Sequence, residues 1–492
     1  MSQVGRRRLT AVLLIAAVAL AVALALGDDG SSDATADGRP NFVVIVTDDQ
    51  TLESMRVMER VQKRIGERGT TFDTAYVNFA LCCPSRATLL TGQYAHNHLV
   101  LGNKAPIGGF ERFQTEHGSD NLATWMQAGG YRTVHVGKYF NGYGDDDPAF
   151  VPDGWDEWYA STTPGQRVYD YRLNENGTLV SYGSEIDDFK EDVLTRRAVE
   201  VIESQSGAEQ PTYLSLAYTA PHDGGPNPSP QPPADCANAP KPPARYAESF
   251  DSEPLPAPPS FDEADVSDKP PSISRLAPLS AAAVEQLTRR YRCTLESLLA
   301  VDDGVGEIVA ALRDAGTLDN TYVIFTSDNG LFFGEHRIPG GKVRHYEEAS
   351  RVPLLIRGPG VRAGAAVKQP VINADLAPTI LEAAGIAPGL EQDGVSLHGL
   401  LAGEDGGPDR DLLIETRTYA GIRTHRYVYV EHHKAADRGL TELYDVLADP
   451  GELDNLSADP AYEAIRTRLA ERLAALADCA GERCSSKAAS SG

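Results

Sequence analysis

Apolar residues along this chain follow two alternating patterns. Continuous runs of aliphatic and β-branched residues occupy 41–47, 131–136, 212–218, 321–326 and 352–356, the signature of strands buried on both faces. Between them the spacing turns helical, over 51–66 and, at greatest length, over 284–315. Strands alternating with helices predict an α/β fold, a large, mostly parallel mixed sheet flanked by helices. From 222 to 275 proline, aspartate, alanine and serine replace any period, which reads as a long surface excursion. Beyond residue 406, strand-like runs at 411–416 and 426–431 precede a helical pattern over 461–477, predicting a smaller C-terminal α+β domain.

The N-terminus adds a compartment. Arg6, Arg7 and Arg8 precede an apolar run of 16 residues, Ala11 to Leu26, and a polar stretch follows. The run falls short of the ~20 residues that span a bilayer, so residues 1–27 read as a signal peptide, with an N-terminal membrane anchor as the alternative. The expected organisation is a leader (1–27), a polar linker (28–39), a catalytic domain (40–405), the C-terminal domain (406–478) and a tail (479–492). The protein is therefore expected to be secreted or otherwise extracytoplasmic, touching a membrane only through residues 9–26.

Charge and cysteines narrow the partners. The formal charge is −25, and without the three arginines of the acid-free leader it becomes −28. Such a surface repels polyanions at long range, which excludes nucleic acid. An anionic substrate would need a local basic pocket. Of the six cysteines, Cys479 with Cys484 and Cys236 with Cys293 could pair in an oxidising compartment. Cys83 reads as a small buried apolar residue.

Polar residues cluster just after the predicted strands: Asp48 and Asp49, Lys138, His222, then Asp328 and Asn329. Ligands of open α/β sheets bind beyond the carboxyl ends of the strands, so these residues are expected to share one site. Asp48, Asp49, Asp328 and Asn329 offer only hard oxygen donors, the set that Ca²⁺ or Mg²⁺ prefers. Helix capping by Asp48-Asp49 and a turn at Asp328-Asn329-Gly330 are the structural alternative. Pro84 favours a helix start, which would place Cys82 near a helix N-terminus that attracts anions, with Arg86 one turn on.

Cys82-Cys83-Pro84-Ser85-Arg86, followed by Leu90-Thr91-Gly92, reads C-x-P-S-R-x-x-x-L-T-G. This resembles the signature at which sulfatases convert a cysteine to formylglycine. His96-Asn97-His98, Gly137-Lys138-Tyr139, Gly154-Trp155, Thr326 to Gly330 and Val352-Pro353-Leu354 resemble the N-acetylglucosamine-6-sulfatase branch in particular. The resemblance implies an alkaline-phosphatase-like fold, a separate formylglycine-generating enzyme, and Ca²⁺ as the cation, with residue 82 among its ligands. It implies sulfate contacts from Arg86, Lys138, His222 and Lys342, and a sulfate-ester substrate, a sugar such as glucosamine 6-sulfate. Phe140 stands where many sulfatases have a histidine two residues beyond the lysine, which leaves the base that regenerates the aldehyde unassigned. His96 and His98 are the candidates for its place. A phosphonate or phosphate ester hydrolase with the same site, and a non-catalytic sulfated-glycan-binding protein, are the alternative readings.

Overall fold

Four of the five apolar runs become neighbouring parallel strands of one sheet. The computed structural model describes residues 38–162, 165–224, 236, 239–404 and 410–485. The expected leader and nearly all of the linker lie outside these residues, as do residues 405–409 at the expected domain boundary and residues 486–492 of the tail. Strands Asn41–Thr47, Arg132–Gly137, Thr212–Ala217, Glu157–Ser161 and Thr321–Ser327 run parallel at the centre of a ten-stranded sheet. Antiparallel pairing takes over on both flanks, with Leu354–Arg357 and then Thr70–Phe72 on one side, where Ala365–Val367 adds a parallel edge strand, and Tyr171–Glu175 and Thr178–Tyr182 on the other. Every residue of Thr321–Ser327 is buried, which explains its unbroken apolar and β-branched run.

Two expected elements differ. The run 352–356 is interrupted at Pro353, which cannot donate to a ladder: Arg351–Val352 pairs in a separate small sheet and Leu354–Arg357 in the large one. The helix expected over 51–66 breaks into a 3₁₀ turn Glu53–Val57, a single turn Glu59–Val61 and a π turn Gln62–Gly66. Its cause is Asp302, whose carboxylate accepts the backbone N–H of Arg60 and Val61 at 3.0 and 2.9 Å and re-caps the chain there. Asp302 belongs to the long helix Ala281–Asp314, started by Ser280, whose hydroxyl accepts the Ala283 N–H.

Cys236 is joined to Cys293 of this helix, tying down the proline-rich excursion, and Cys479 is joined to Cys484. Within the excursion the described residues form a 3₁₀ turn Ala244–Tyr246, the short helix Pro271–Ser274 and an isolated antiparallel bridge from Phe261 to Glu335. The C-terminal strands Leu412–Glu415, Tyr419–Arg423, Tyr427–His432 and Thr441–Asp445 form an antiparallel sheet, followed by helix Glu463–Ala477. Its apolar face shares a core with Tyr76, Val77, Phe332 and Ile372 of the larger part. Among the described residues no helix is long and apolar enough to cross a membrane.

Candidate active site

The carboxyl ends of the central strands deliver the site. Asp48 follows Asn41–Thr47, and its N–H donates to Ala220 O at 3.2 Å, while the Asp328 N–H donates to Thr47 O at 3.0 Å. Successive residues of an extended strand point to opposite faces. Asp49 escapes that alternation through a left-handed φ of 69°, a conformation aspartate tolerates better than most residues. Gly137 is required where it stands: its φ is 106°, and a Cβ there would lie 2.0 Å from Ala217 O. The turn it permits lets the Lys138 N–H donate to Ala217 O at 2.8 Å and sends the lysine inward.

Cys82 opens the helix Cys82–Thr91, all ten residues of which are buried. The helix begins two residues before Pro84, so the proline sits in the first turn, where its missing N–H costs nothing. Asn103 Oδ1 accepts the Cys83 N–H at 2.9 Å, and Gly92 ends the helix at φ 70°. Cys82 Sγ lies 2.9 Å from Lys342 Nζ and 3.5 Å from Asp48 Oδ1.

Around that sulfur the charges interlock. Lys138 Nζ pairs with Asp48 Oδ2, and Lys342 Nζ with Asp49 Oδ1. Arg86 donates through Nε to Asp328 Oδ2 at 2.9 Å and through its NH1 group to Lys138 O at 3.0 Å. His222 Nε2 stands 3.7 Å from Asp49 Oδ2, and its Nδ1 donates to Asp223 O at 2.7 Å. Asn329 Nδ2 donates to Asp49 Oδ1 at 2.6 Å, while its buried Oδ1 has no hydrogen-bond partner. Three carboxylates therefore face three cations, nearly all of these side chains being buried.

Burial alone would raise the Asp48 carboxyl, but Lys138, His222, Arg86 and Lys342 together hold it far below the ordinary carboxylate range. Burial likewise opposes the charge on Lys342, which Asp49 above all restores. The Cys82 thiol is pushed up to about 12 by burial, so as a thiol it stays protonated at neutral pH.

All nine residues singled out in the sequence thus stand in one cluster, with unequal roles. Ligand atoms of Asp48, Asp49, Cys82 and His222 lie within 4.8 Å of one another. Asp328 stands beside this group with one oxygen turned to Arg86, and its Oδ1 accepts the Asp49 N–H at 3.2 Å. His96 and His98 are engaged elsewhere: His96 with Glu415 and Cys479 O, His98 with Thr88 Oγ1.

Two contributors escape sequence reasoning. Asn103 lies in a loop without period, and only its polarity hints at the helix cap. His135 lies beside Lys138 in a small buried pocket, 3.2 Å from Ser215 Oγ, its other ring nitrogen buried without a partner. Burial depresses it to about 3, so it is neutral. A polar residue inside the apolar run Val134-His135-Val136 was its only signal. A cleft of about 790 Å³ opens beside Lys138, lined among others by Asn103, Lys104, Glu111, Asp145 and Phe150.

The family model of the sulfatases matches residues 40–386, and that of the N-sulphoglucosamine sulphohydrolase C-terminal region matches residues 334–478. The human N-acetylglucosamine-6-sulfatase is 31% identical over 493 residues, covering 91% of this chain and 86% of that protein. A putative extracellular sulfatase Sulf-1 homolog of Caenorhabditis elegans is 35% identical over 371 residues, 74% of this chain, and the chain spans only 50% of that relative's length. A solved structure in complex with its substrate D-glucosamine-2-N,6-O-disulfate shares the fold at a TM-score of 0.70 and 23% identity, covering 89% of this chain and 97% of that one. The large mixed sheet with its smaller C-terminal sheet is accordingly the alkaline-phosphatase-like fold. With the family model matched over residues 40–386 and 31% identity to the human N-acetylglucosamine-6-sulfatase across 91% of its own length, the chain belongs to the sulfatase family of sulfuric ester hydrolases, in its N-acetylglucosamine-6-sulfatase branch.

Proposed function

We propose that this protein hydrolyses sulfate esters of sugars, glucosamine-type 6-O-sulfates foremost, at the cluster around residue 82. The observation that carries the reading is the convergence of Arg86, Lys138, Lys342 and His222 with Asp48, Asp49, Asp328 and Asn329 on one helix N-terminus. This is the basic pocket that an acidic surface requires for an anionic substrate.

The donor set fits a divalent cation. Three carboxylates and an unpartnered, buried Asn329 Oδ1 are hard oxygen donors. Asp48, Asp49, Asp328 and Asn329, with residue 82, would hold it, and we assign Ca²⁺ by kinship, Mg²⁺ being the alternative of the same chemistry. When bound, the cation supplies Lewis acidity and the net positive charge that three carboxylates otherwise cancel.

Cys82 is read as the precursor of formylglycine, installed by a formylglycine-generating enzyme, and its Sγ marks where the nucleophilic oxygen would stand. The aldehyde hydrate offers one hydroxyl to attack sulfur and a second through which the aldehyde is regenerated, which a serine or cysteine lacks. Arg86, Lys138 and Lys342 stabilise charge on the sulfuryl oxygens. His222, tethered through Nδ1 to Asp223 O, gives a proton from Nε2 to the leaving alcohol. The cleft beside Lys138 accommodates the sugar. Two disulfides fit export and an extracytoplasmic site of action. We retain 40–405 as the catalytic domain and 406–478 as the smaller C-terminal one.

Matched aryl sulfate and aryl phosphate esters test the reading together with N-acetylglucosamine 6-sulfate. The expected result is a higher kcat/KM on the sulfate and release of sulfate from the sugar. Preference for the phosphate would assign the site to phosphate or phosphonate chemistry, and binding without turnover would make the protein a glycan-binding one.

A further inference from the structure

The loop that carries Lys342 is bracketed by side chains with unused ligand atoms. His336 is fully buried, and its Nδ1 donates to Glu263 Oε2 at 2.7 Å. That fixes the tautomer and leaves Nε2 with a lone pair and no hydrogen-bond partner. Glu348 Oε1 accepts from Ser260 Oγ at 3.1 Å, while its buried Oε2 has no partner. Glu452 is 1% exposed; its Oε2 accepts the Glu347 N–H at 3.0 Å, and its Oε1 has no partner. One ligand atom from each of the three residues lies within 4.8 Å of the other two, and His336 Nε2 stands 3.9 Å from Glu348 Oε2. Each side chain is held by one atom and keeps another without a hydrogen-bond partner.

We propose that His336, Glu348 and Glu452 form a second cation site, separate from the strand-end cluster, that takes a divalent transition-metal ion of the zinc class. One imidazole nitrogen with two carboxylate oxygens suits such an ion, whereas calcium takes oxygen alone. Glu263 behind His336 is the outer carboxylate that orients a ligating imidazole. Bonds of about 2.0–2.2 Å would draw the donors to roughly 3.3 Å apart, a closure of up to about 1.5 Å. A cavity of about 490 Å³ lined by Glu335, Glu347 and Glu348 gives an ion access.

The charges agree. Burial, with Glu335 next, raises the Glu348 carboxyl to about 8, and burial with Glu347 and Glu348 raises Glu452 well above the ordinary range. The Arg423 charge offsets only part of this at Glu452, and buried carboxylates with too little positive charge beside them are costly. The ion would join the loop after strand Thr321–Ser327, the turn Glu347–Ser350 and the segment beyond strand Thr441–Asp445. Lys342 lies six residues from both His336 and Glu348. His336, Arg337 and Val343 hold left-handed φ values of 52°, 61° and 71°, a conformation that a clamp at both ends of the loop would secure.

The test uses the full chain, stripped with EDTA, resupplied with Ca²⁺, then incubated with ZnCl₂ and desalted. Zinc is measured by mass spectrometry and stability by Tm. The wild type is expected to retain about one equivalent more zinc than Glu452→Gln and to gain several degrees in Tm on zinc addition, a gain the variant lacks. Should Glu452→Gln not fold, Glu348→Gln, whose side chain is partly exposed, carries the same comparison. Wild type that retains no zinc, or a folded variant that retains as much, overturns the proposal. Neither arm depends on sulfate hydrolysis.

Discussion

Glu442 and Asp48 are both buried carboxylates ringed by donors, but the rings differ in kind. Glu442 Oε1 accepts from His345 Nε2 and His432 Nε2 at 2.9 and 2.7 Å, and its Oε2 accepts from the hydroxyls of Tyr346 and Tyr444 at 2.8 and 2.6 Å. Burial opposes its charge, yet His345 and His432 hold it well below the ordinary carboxylate range. Both oxygens of the carboxylate are doubly engaged in the core between the C-terminal sheet and the larger part, although His345 Nδ1 behind it has no partner. At the strand ends, three carboxylates balance three cations while Asn329 Oδ1 remains unspent, and an open cleft adjoins Lys138. An unspent oxygen acceptor among the ligating side chains themselves sets the strand-end cluster apart from the Glu442 carboxylate, whose own oxygens are fully used. The group at His336, Glu348 and Glu452 has the same oxygen surplus, and the Arg423 charge acting on Glu452 does not bring that carboxyl back to the ordinary range.

Breaking the strand-end cluster should cost chemistry and leave the fold. Cys82→Ser is expected to lose multiple turnover by on the order of 10⁴-fold or more, as removal of a nucleophile does, with an unchanged Tm; steady-state assays and thermal melts check both. Breaking the Glu442 ring should do the reverse. Glu442→Gln removes the charge from a buried network and is expected to lower stability by about 3 kcal/mol, read from denaturant midpoints, with kcat per folded molecule unchanged.

The smallest effect sharpens the link between the two regions. His96 lies just beyond the Cys82–Thr91 helix and pairs with Glu415 at 2.9 Å. Burial disfavours its charge, but the Glu415 carboxylate lifts it from an ordinary 6.5 to about 9. A group raised on folding contributes its stability fully below the unfolded value and loses it as pH rises through the folded one. Tm should therefore decline between pH 6.5 and 9, and Glu415→Gln should flatten that decline.

Much of this was legible in the chain because burial on both faces writes unbroken runs. The central strands 41–47, 132–137, 212–217 and 321–327 appear as such, and the residues after them are the cluster. The flanking strands Tyr171–Glu175 and Thr178–Tyr182 were not legible, since half-exposed sequences such as Thr-Leu-Val-Ser-Tyr carry little period. Nor could spacing show that Asp302 would split the first helix, or that Arg86 would take one oxygen of Asp328, because both depend on partners more than two hundred residues away. His336, Glu348 and Glu452 stayed hidden for the same reason: nothing in the sequence joins residue 348 to residue 452.

The central claim rests on residue 82. Peptide mass spectrometry of the protein matured in its own host should find the Cys82 peptide as the sulfur-free aldehyde. An intact thiol at that position in the active protein would contradict the account.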